Sequence, residues 1–457
     1  MIRIVFPADV APQIGINRAS DDLVAVLLVE RLELGRQQVD RARHDEAMAR
    51  KSPRRRGRRR ERGDARQHGR AERVSHPVIL RHLDNVTHTL VGATLARTRL
   101  ARAGRGTTSA LLLSSNAPDI DIVAAAGGAA KYLEWHRGPT HGPLGVVVLA
   151  VVVAAIVWSF RRLSAARRRS DPESTPPHTP EDDAPFAMLL AVSTIGVVAH
   201  VLMDLPTSYG TRILSPFSWQ WYAFDWMPII DIYLLMVLVA ALFGRGTETQ
   251  RRSKAAIAMA VLAANYGLRA AAHHQAIDLA PRLFGPTLPE LCDAPAAPSR
   301  IESWPRTPPS PPLPGRRCLV ELAAMPTFAS PFRWRIIARM SNAYELHDID
   351  LLDSRFRHPE TGSEAPWRLT LRYPSLWTPA VDRAAETRLG QVFLGFSRFP
   401  AARSGVDPHG ITTVRWSDMR FAGGIAGLEQ PTRSVNPFTA TVRVDPDGRI
   451  LDERIVR

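Results

Sequence analysis

The sequence predicts an α-helical integral membrane domain of about four full transmembrane helices, preceded by two shorter helical segments and followed by a small, mostly β soluble domain. Three observations predict it. First, the apolar residues of this 457-residue chain concentrate between about Thr87 and Ala272, although the mean hydropathy of the whole, −0.11, is that of an ordinary soluble protein. Second, Gly142 to Phe160 (GPLGVVVLAVVVAAIVWSF) runs 19 residues without a charge, enough to cross a bilayer core. Third, the chain turns polar from Cys318 onward and shows the period-two alternation of strands. Two cysteines exclude a disulfide scaffold and a four-thiolate metal site.

Residues 1–82 hold 19 basic and 11 acidic residues, and Lys51 to Arg60 (KSPRRRGRRR) holds seven basic residues in ten. Apart from a short apolar patch from Leu23 to Leu32, nothing there repeats with a period able to bury a core. We expect this arm to be disordered or untranslated, with translation beginning at Leu83. Such a run suits nucleic acid or anionic lipid. A DNA-binding regulator would need the arm to be translated and cytoplasmic, so nucleic acid is not the expected partner. It is no signal peptide, because no apolar stretch with a cleavage site follows the charges.

The expected membrane domain is 83–275. Thr87 to Ala103 and Ser109 to Ala126 are its two shorter apolar segments. The spans are Gly142 to Phe160, Ala184 to Leu205, Met227 to Phe243 and Ala255 to Ala272. Arg161, Arg162 and Arg167 to Arg169 follow the first span, and Arg245, Arg251, Arg252 and Lys254 follow the third, which places both loops in the cytoplasm. Pro206 to Trp226 is rich in aromatic residues and suits the outer interface. Residues 276–317 are a linker, with eleven prolines between Pro281 and Gly315. The tail, 318–457, contains alternating stretches such as Ala338 to Leu352 and Thr439 to Ile455, the latter turning at Asp445-Pro-Asp-Gly. This topology puts the tail outside, where Cys292 and Cys318 would meet an oxidising space; the sequence leaves open whether they pair.

Ionisable residues at membrane depth are costly and therefore functional candidates. Here they cluster as Asp84-Asn85-Val86-Thr87-His88, Asn116-Ala117-Pro118-Asp119-Ile120-Asp121, His136-Arg137-Gly138-Pro139-Thr140-His141, and the i, i+4 pair His200 and Asp204. Imidazole and carboxylate together are ligands for zinc, manganese or iron. Taken singly, each cluster has an ordinary reading: His88 as a packed or surface histidine, Asp119 and Asp121 as a helix cap, His136 and His141 as loop residues. The topology, set without them, nevertheless puts His136, His141, His200 and Asp204 on one side of the membrane.

DNVTHTLVGATLA, NAPDID, HRGPTH before an apolar span, and AHVLMDLPTSYGTRILSPFSW, in this order and spacing over Asp84 to Ala272, resemble the bacterial membrane-bound metal-dependent hydrolase family, the YdjM-like inner-membrane proteins. PTFASPFRWR, at Pro326 to Arg335, resembles the start of the soluble tail of longer members. The resemblance implies a metal site at His88, Asp119, Asp121, His136, His141, His200 and Asp204. It also implies a multi-pass protein of the bacterial inner membrane. Members commonly carry Ser where this chain has Gly142, so no hydroxyl role is carried over.

The chemistry expected is metal-assisted hydrolysis with one or two divalent ions, zinc first among them. Asp121 and Arg137 are the foremost catalytic candidates, Arg137 as a clamp for an anionic group such as phosphate. Asp225 and Asp231 are candidates for a general base or a supporting acid. A phosphoester, including one carried by a lipid, is the expected substrate at the outer membrane face, and the bilayer itself is the expected partner. The competing reading from another class is a scaffold or transporter with a structural ion.

Overall fold

The computed structural model describes residues 76–169, 183–284, 292, 302–305, 318–353, 371–422 and 438–456. The basic run at Lys51 to Arg60, all of 1–75, and most of the proline-rich linker lie outside the described residues.

Among them, the membrane region consists of α1 (His76–Leu95), α2 (Thr107–Ser114), α3 (Ala129–Trp135), α4 (Pro143–Arg169), α5 (Phe186–Asp204), α6 (Ile232–Phe243) and α7 (Glu248–Leu279), with a 3-10 segment at Ala117–Gly127. The backbone of α1 begins at His76, so residues 76–82 are continuous with the helix that carries His88.

Three described helices, not four, are long and apolar enough to cross a membrane: α4, α5 and α7. The expected span Met227 to Phe243 is corrected here. Only its last 12 residues are helical, about 18 Å of rise against a core of about 30 Å. The cause is local. The Asp231 carboxylate accepts hydrogen bonds from the Tyr233 and Leu234 amides and thereby starts α6 late. Asp231 is held in turn by Arg269 of α7 at 2.7 Å and by Asn265 at 3.2 Å, so its charge is paired inside the helix bundle rather than placed in a catalytic site.

The apolar residues of α4 divide by face. Ala150, Val153, Ala154 and Val157 are buried against α2 and α5, whereas Val147, Val148, Ile156 and Phe160 are exposed as a lipid-facing helix requires. The helices α2 and α5 touch at Gly196, where any Cβ would overlap the Ser114 hydroxyl. At one end of the bundle, Arg97 donates to the last carbonyls of α6 (Ala241 and Leu242), and Arg161 pairs with Asp183. This basic end lies opposite the end at which α5 delivers His200 and Asp204.

The tail is mostly β. One antiparallel sheet has the order β3 (Leu319–Pro326), β4 (Arg333–Met340), β5 (Ala343–Asp350), β6 (Leu371–Pro374). A second contains β7 (Pro400–Val406), β8 (Thr412–Asp418), β9 (Thr439–Val444) and β10 (Ile450–Val456) in the order β10-β9-β8-β7, with the β9–β10 turn passing through Gly448 at φ +87°. Two short helices, α8 (Pro379–Ala385) and α9 (Arg388–Phe396), join the sheets; Thr378 and Thr387 cap them. In the linker, β2 (Glu302–Trp304) pairs with β1 (Trp221–Ala223) of the membrane region, so Trp221 stacks on Trp304 at 6.1 Å. Cys292 and Cys318 form a disulfide that ties the linker to the start of β3.

The tail packs on the end that carries the polar clusters. Arg398 is buried with Asp225 at 2.6 Å, Glu321 at 3.0 Å and Glu302 at 3.2 Å. Although burial opposes its charge, these three carboxylates hold its guanidinium above the ordinary arginine range. Arg420, held by Asp418 at 2.7 Å, donates to the carbonyls of Ser208 and Tyr209 at 3.1 and 3.0 Å.

Candidate metal centre

Four elements converge at the end of α5. Helical spacing puts His200 and Asp204 on one face of its last turn. The 3-10 segment carries Asp119 and Asp121. The turn between α3 and α4 carries His136, Arg137 and His141. His88 comes from the middle of α1.

Asp119, His141, His200 and Asp204 each offer one ligand atom, and these atoms lie within 4.8 Å of one another. His141 Nε2 is 3.2 Å from His200 Nε2 and 3.1 Å from Asp204 Oδ2; His200 Nε2 is 3.4 Å from that oxygen and 3.5 Å from Asp119 Oδ1. Four ligands on a tetrahedron with bonds of about 2.0–2.2 Å stand roughly 3.3–3.6 Å apart, so these spacings suit one ion.

The donor chemistry also fits. His200 Nδ1 lies 2.8 Å from the Ser115 carbonyl, which can only accept; the proton therefore sits on Nδ1 and Nε2 presents a lone pair inward. His141 Nδ1 has the Thr140 hydroxyl at 3.0 Å in the same supporting position. Asp204 Oδ2 is buried and accepts no well-formed hydrogen bond among the described residues. Lone pairs crowded at 3.1–3.5 Å repel unless a cation or a shared proton sits among them, and a divalent ion satisfies all four at once.

The other expected residues take distinct places. His88 stacks on His200 with ring centroids 3.8 Å apart, and its Nε2 is 3.4 Å from Asp204 Oδ1. Arg137 reaches the same oxygen at 2.9 Å. Asp121 contributes no atom to the four-atom group: its Oδ1 meets His136 Nδ1 at 3.2 Å, and its Oδ2 accepts from the Arg137 amide at 2.7 Å and stands 3.8 Å from His141 Nδ1. The separation follows from 3-10 geometry, in which three residues make a turn and positions i and i+2 point apart. Burial works against the Asp121 charge, yet His136 and His141 hold its carboxyl below the usual range. Asp225 faces Arg398 rather than this group.

Several contributors had no signal in the residue pattern. Thr207 takes a bond from Arg137 Nη1 at 3.1 Å and donates to the Asp204 carbonyl at 2.6 Å. Tyr209 lies under the Arg137 guanidinium at 5.0 Å and edge-on to His136 at 5.4 Å. Gly142 has a steric cause here, because a Cβ would overlap the Ser215 carbonyl oxygen. A serine at this position therefore has no room in this chain.

Residues 83–276 match the family model of the YdjM inner membrane protein. The matched segment contains all seven metal-ligand candidates, whereas the tail from Cys318 lies outside it. The chain is also similar to the "Uncharacterized protein YfhP" of Bacillus subtilis (strain 168), with 31% identity over 133 residues, 29% of this chain. The chain spans about a third of that relative's length, 35%. No solved structure matches.

Proposed function

We propose that the chain is a multi-pass, membrane-bound, metal-dependent hydrolase acting on a phosphoester at the outer face of the inner membrane. The observation that carries this reading is the group of four ligand atoms from Asp119, His141, His200 and Asp204, held within 4.8 Å of one another on three separate stretches of chain. A bound divalent ion, zinc first among candidates, would supply Lewis-acid activation of water and of the scissile group.

The chain's own residues supply the rest. Arg137 keeps the Asp204 carboxylate in place and carries a positive charge beside the centre. Asp121 orients the His136 ring through Nδ1, which leaves the far ring nitrogen to take or give a proton. His136 contributes no atom to the four-atom group, which leaves it proton transfer rather than ligation. A purely structural ion needs no access, yet Asp119 and His136 keep 16% and 13% of their side chains exposed.

Two features support the outer face. The arginines near the ends of α1, α4 and α6 lie at the opposite end, as the inward bias of basic residues requires. The Cys292–Cys318 disulfide belongs to an oxidising compartment. Hydrolysis of 4-nitrophenyl phosphate and bis-(4-nitrophenyl) phosphate by the full chain, stripped of metal and reloaded with zinc or manganese, tests the reading. Metal-dependent turnover lost in His136→Ala and His200→Ala supports it; turnover equal in the stripped protein contradicts it.

A further inference from the structure

Access to the metal centre differs sharply from its interior. The side chains of His141, His200 and Asp204 are at most 2% exposed, so a molecule reaching them passes Asp119 and His136. On the Asp119 side the exposed neighbours are apolar, whereas on the His136 side the exposed ion pairs of Glu134 with Lys131 and Arg388 stand next to Trp135. Along the 3-10 segment the carboxylates of Asp119 and Asp121 turn inward, while Ile120, Ile122 and Val123 are 56%, 48% and 69% exposed. From Ile122 to Ala130 the sequence is IVAAAGGAA, with no charge and no side-chain hydrogen-bonding group. The segment packs against α4, whose own outer face is aliphatic. Beside His136, the exposed Trp135 stands edge-on to the exposed Trp219, ring centroids 6.1 Å apart, in the manner of an interfacial aromatic pair. The 3-10 side of the centre thus carries lipid-compatible surface continuous with the spanning helices, and the charged side chains lie beyond Trp135.

Beneath Trp219 lies a cation of unusual setting. Arg212 is 6% exposed, and its guanidinium sits 5.1 Å from the Trp219 ring and 4.3 Å from the Trp221 ring. It donates to the Glu134 carbonyl, its Nε has no hydrogen-bond partner, and no carboxylate lies within 4 Å among the described residues. A buried guanidinium with no carboxylate in contact attracts an anion.

We propose that the substrate of this centre is a membrane amphiphile with an anionic headgroup, which enters sideways from the outer leaflet. Its chains lie on Ile120, Ile122 and Val123, and its head passes Trp135 and Trp219 towards Asp119, with Arg212 matching its charge. The proposal rests on the reading that the centre holds a divalent ion, and it adds the class of molecule that reaches it.

The test uses the full, zinc-loaded chain in dodecyl maltoside, with its metal content measured and its binding of dioleoyl phosphatidic acid, dioleoyl phosphatidylcholine and glycerol 3-phosphate compared. Phosphatidic acid should bind at least about tenfold more tightly than either alternative, a difference of about 1.4 kcal/mol. Because Ile120 and Val123 are exposed, the double substitution Ile120→Ser and Val123→Ser should leave folding and metal content intact while weakening phosphatidic acid about tenfold. Arg212→Gln should erase the preference for phosphatidic acid over phosphatidylcholine. Glycerol 3-phosphate binding as tightly as phosphatidic acid would overturn the lipid entry, and equal binding of the two lipids would overturn the anionic head. A metal-loaded wild type without these preferences refutes this proposal alone; a wild type that takes up no metal refutes the reading beneath it.

Discussion

Arg137 Nη2 and Asp204 Oδ1 meet at 2.9 Å with the two side chains 3% and 2% exposed, which makes them a fully buried ion pair at the edge of the proposed metal group. Arg137 holds a left-handed backbone, φ +49°, that lets its amide bond Asp121 while its side chain reaches Asp204. One residue thus links the two carboxylates that face in different directions.

Removing this arginine should destabilise the metal-free protein more than the loaded one. Arg137→Met strands the Asp204 carboxylate, a loss of about 3–5 kcal/mol for a broken buried pair. A divalent ion replaces the missing positive charge. Thermal unfolding in detergent should therefore show a larger upward shift on adding zinc for Arg137→Met than for the wild type. Equal shifts would separate Arg137 from the ion's electrostatics.

Asp121 gives a pH signature. Its carboxyl is held below the usual range, so the stability it contributes is present above the unfolded value of about 3.9 and fades as pH falls through the lower folded value. Asp121→Asn should lower stability at neutral pH and flatten the acid limb of the unfolding profile below about pH 4. A variant whose profile parallels the wild type would show that the pairing with His136 is not maintained in solution.

The tail should matter to the centre although it lies outside the segment that matches the family model. Arg420 fixes the Ser208 and Tyr209 carbonyls, and Tyr209 supports both Arg137 and His136. Loss of one such charged hydrogen-bonding anchor is worth about 1.5–3 kcal/mol. Arg420→Met should weaken zinc binding, read by competition with a chelating dye, while α4 and α5 keep their protection from hydrogen exchange. Unchanged zinc affinity would confine Arg420 to tail docking.

Gly142 sets a steric limit. Gly142→Ser pushes a side chain into the Ser215 carbonyl, and overpacking of this kind costs about 1–3 kcal/mol. A lower unfolding temperature is expected, with His141 displaced from the centre. A serine variant as stable as the wild type would mean that the two loops separate easily.

Much of this arrangement was legible because membrane depth makes polarity conspicuous. His200 and Asp204 stand out in an otherwise apolar run, and their i, i+4 spacing already puts them on one helix face. Gly142 to Phe160 announces a span by length alone. Met227 to Phe243 misled because hydropathy does not register that Asp231 caps a helix; the capping geometry and its partner Arg269 are 38 residues apart in sequence. Asp119 and Asp121 read as a pair, but the 3-10 turn sends them to different partners. The α8 and α9 helices were hidden in a tail dominated by alternation, although Thr378-Pro379 and Thr387 are cap signals. The contacts of Arg420 and Arg398 join segments about 170 to 210 residues apart, a distance no local pattern bridges.

The most direct measurement is the metal content of the full-length protein, purified in detergent without added metal and analysed by inductively coupled plasma mass spectrometry, alongside His200→Ala and Asp204→Asn. The account predicts about one divalent ion per wild-type chain, as one tetrahedral four-ligand group requires, and nearly none in either variant while both keep their helical circular dichroism. A wild type that stays empty even after dialysis against zinc and manganese, or variants that retain the full complement, would contradict it.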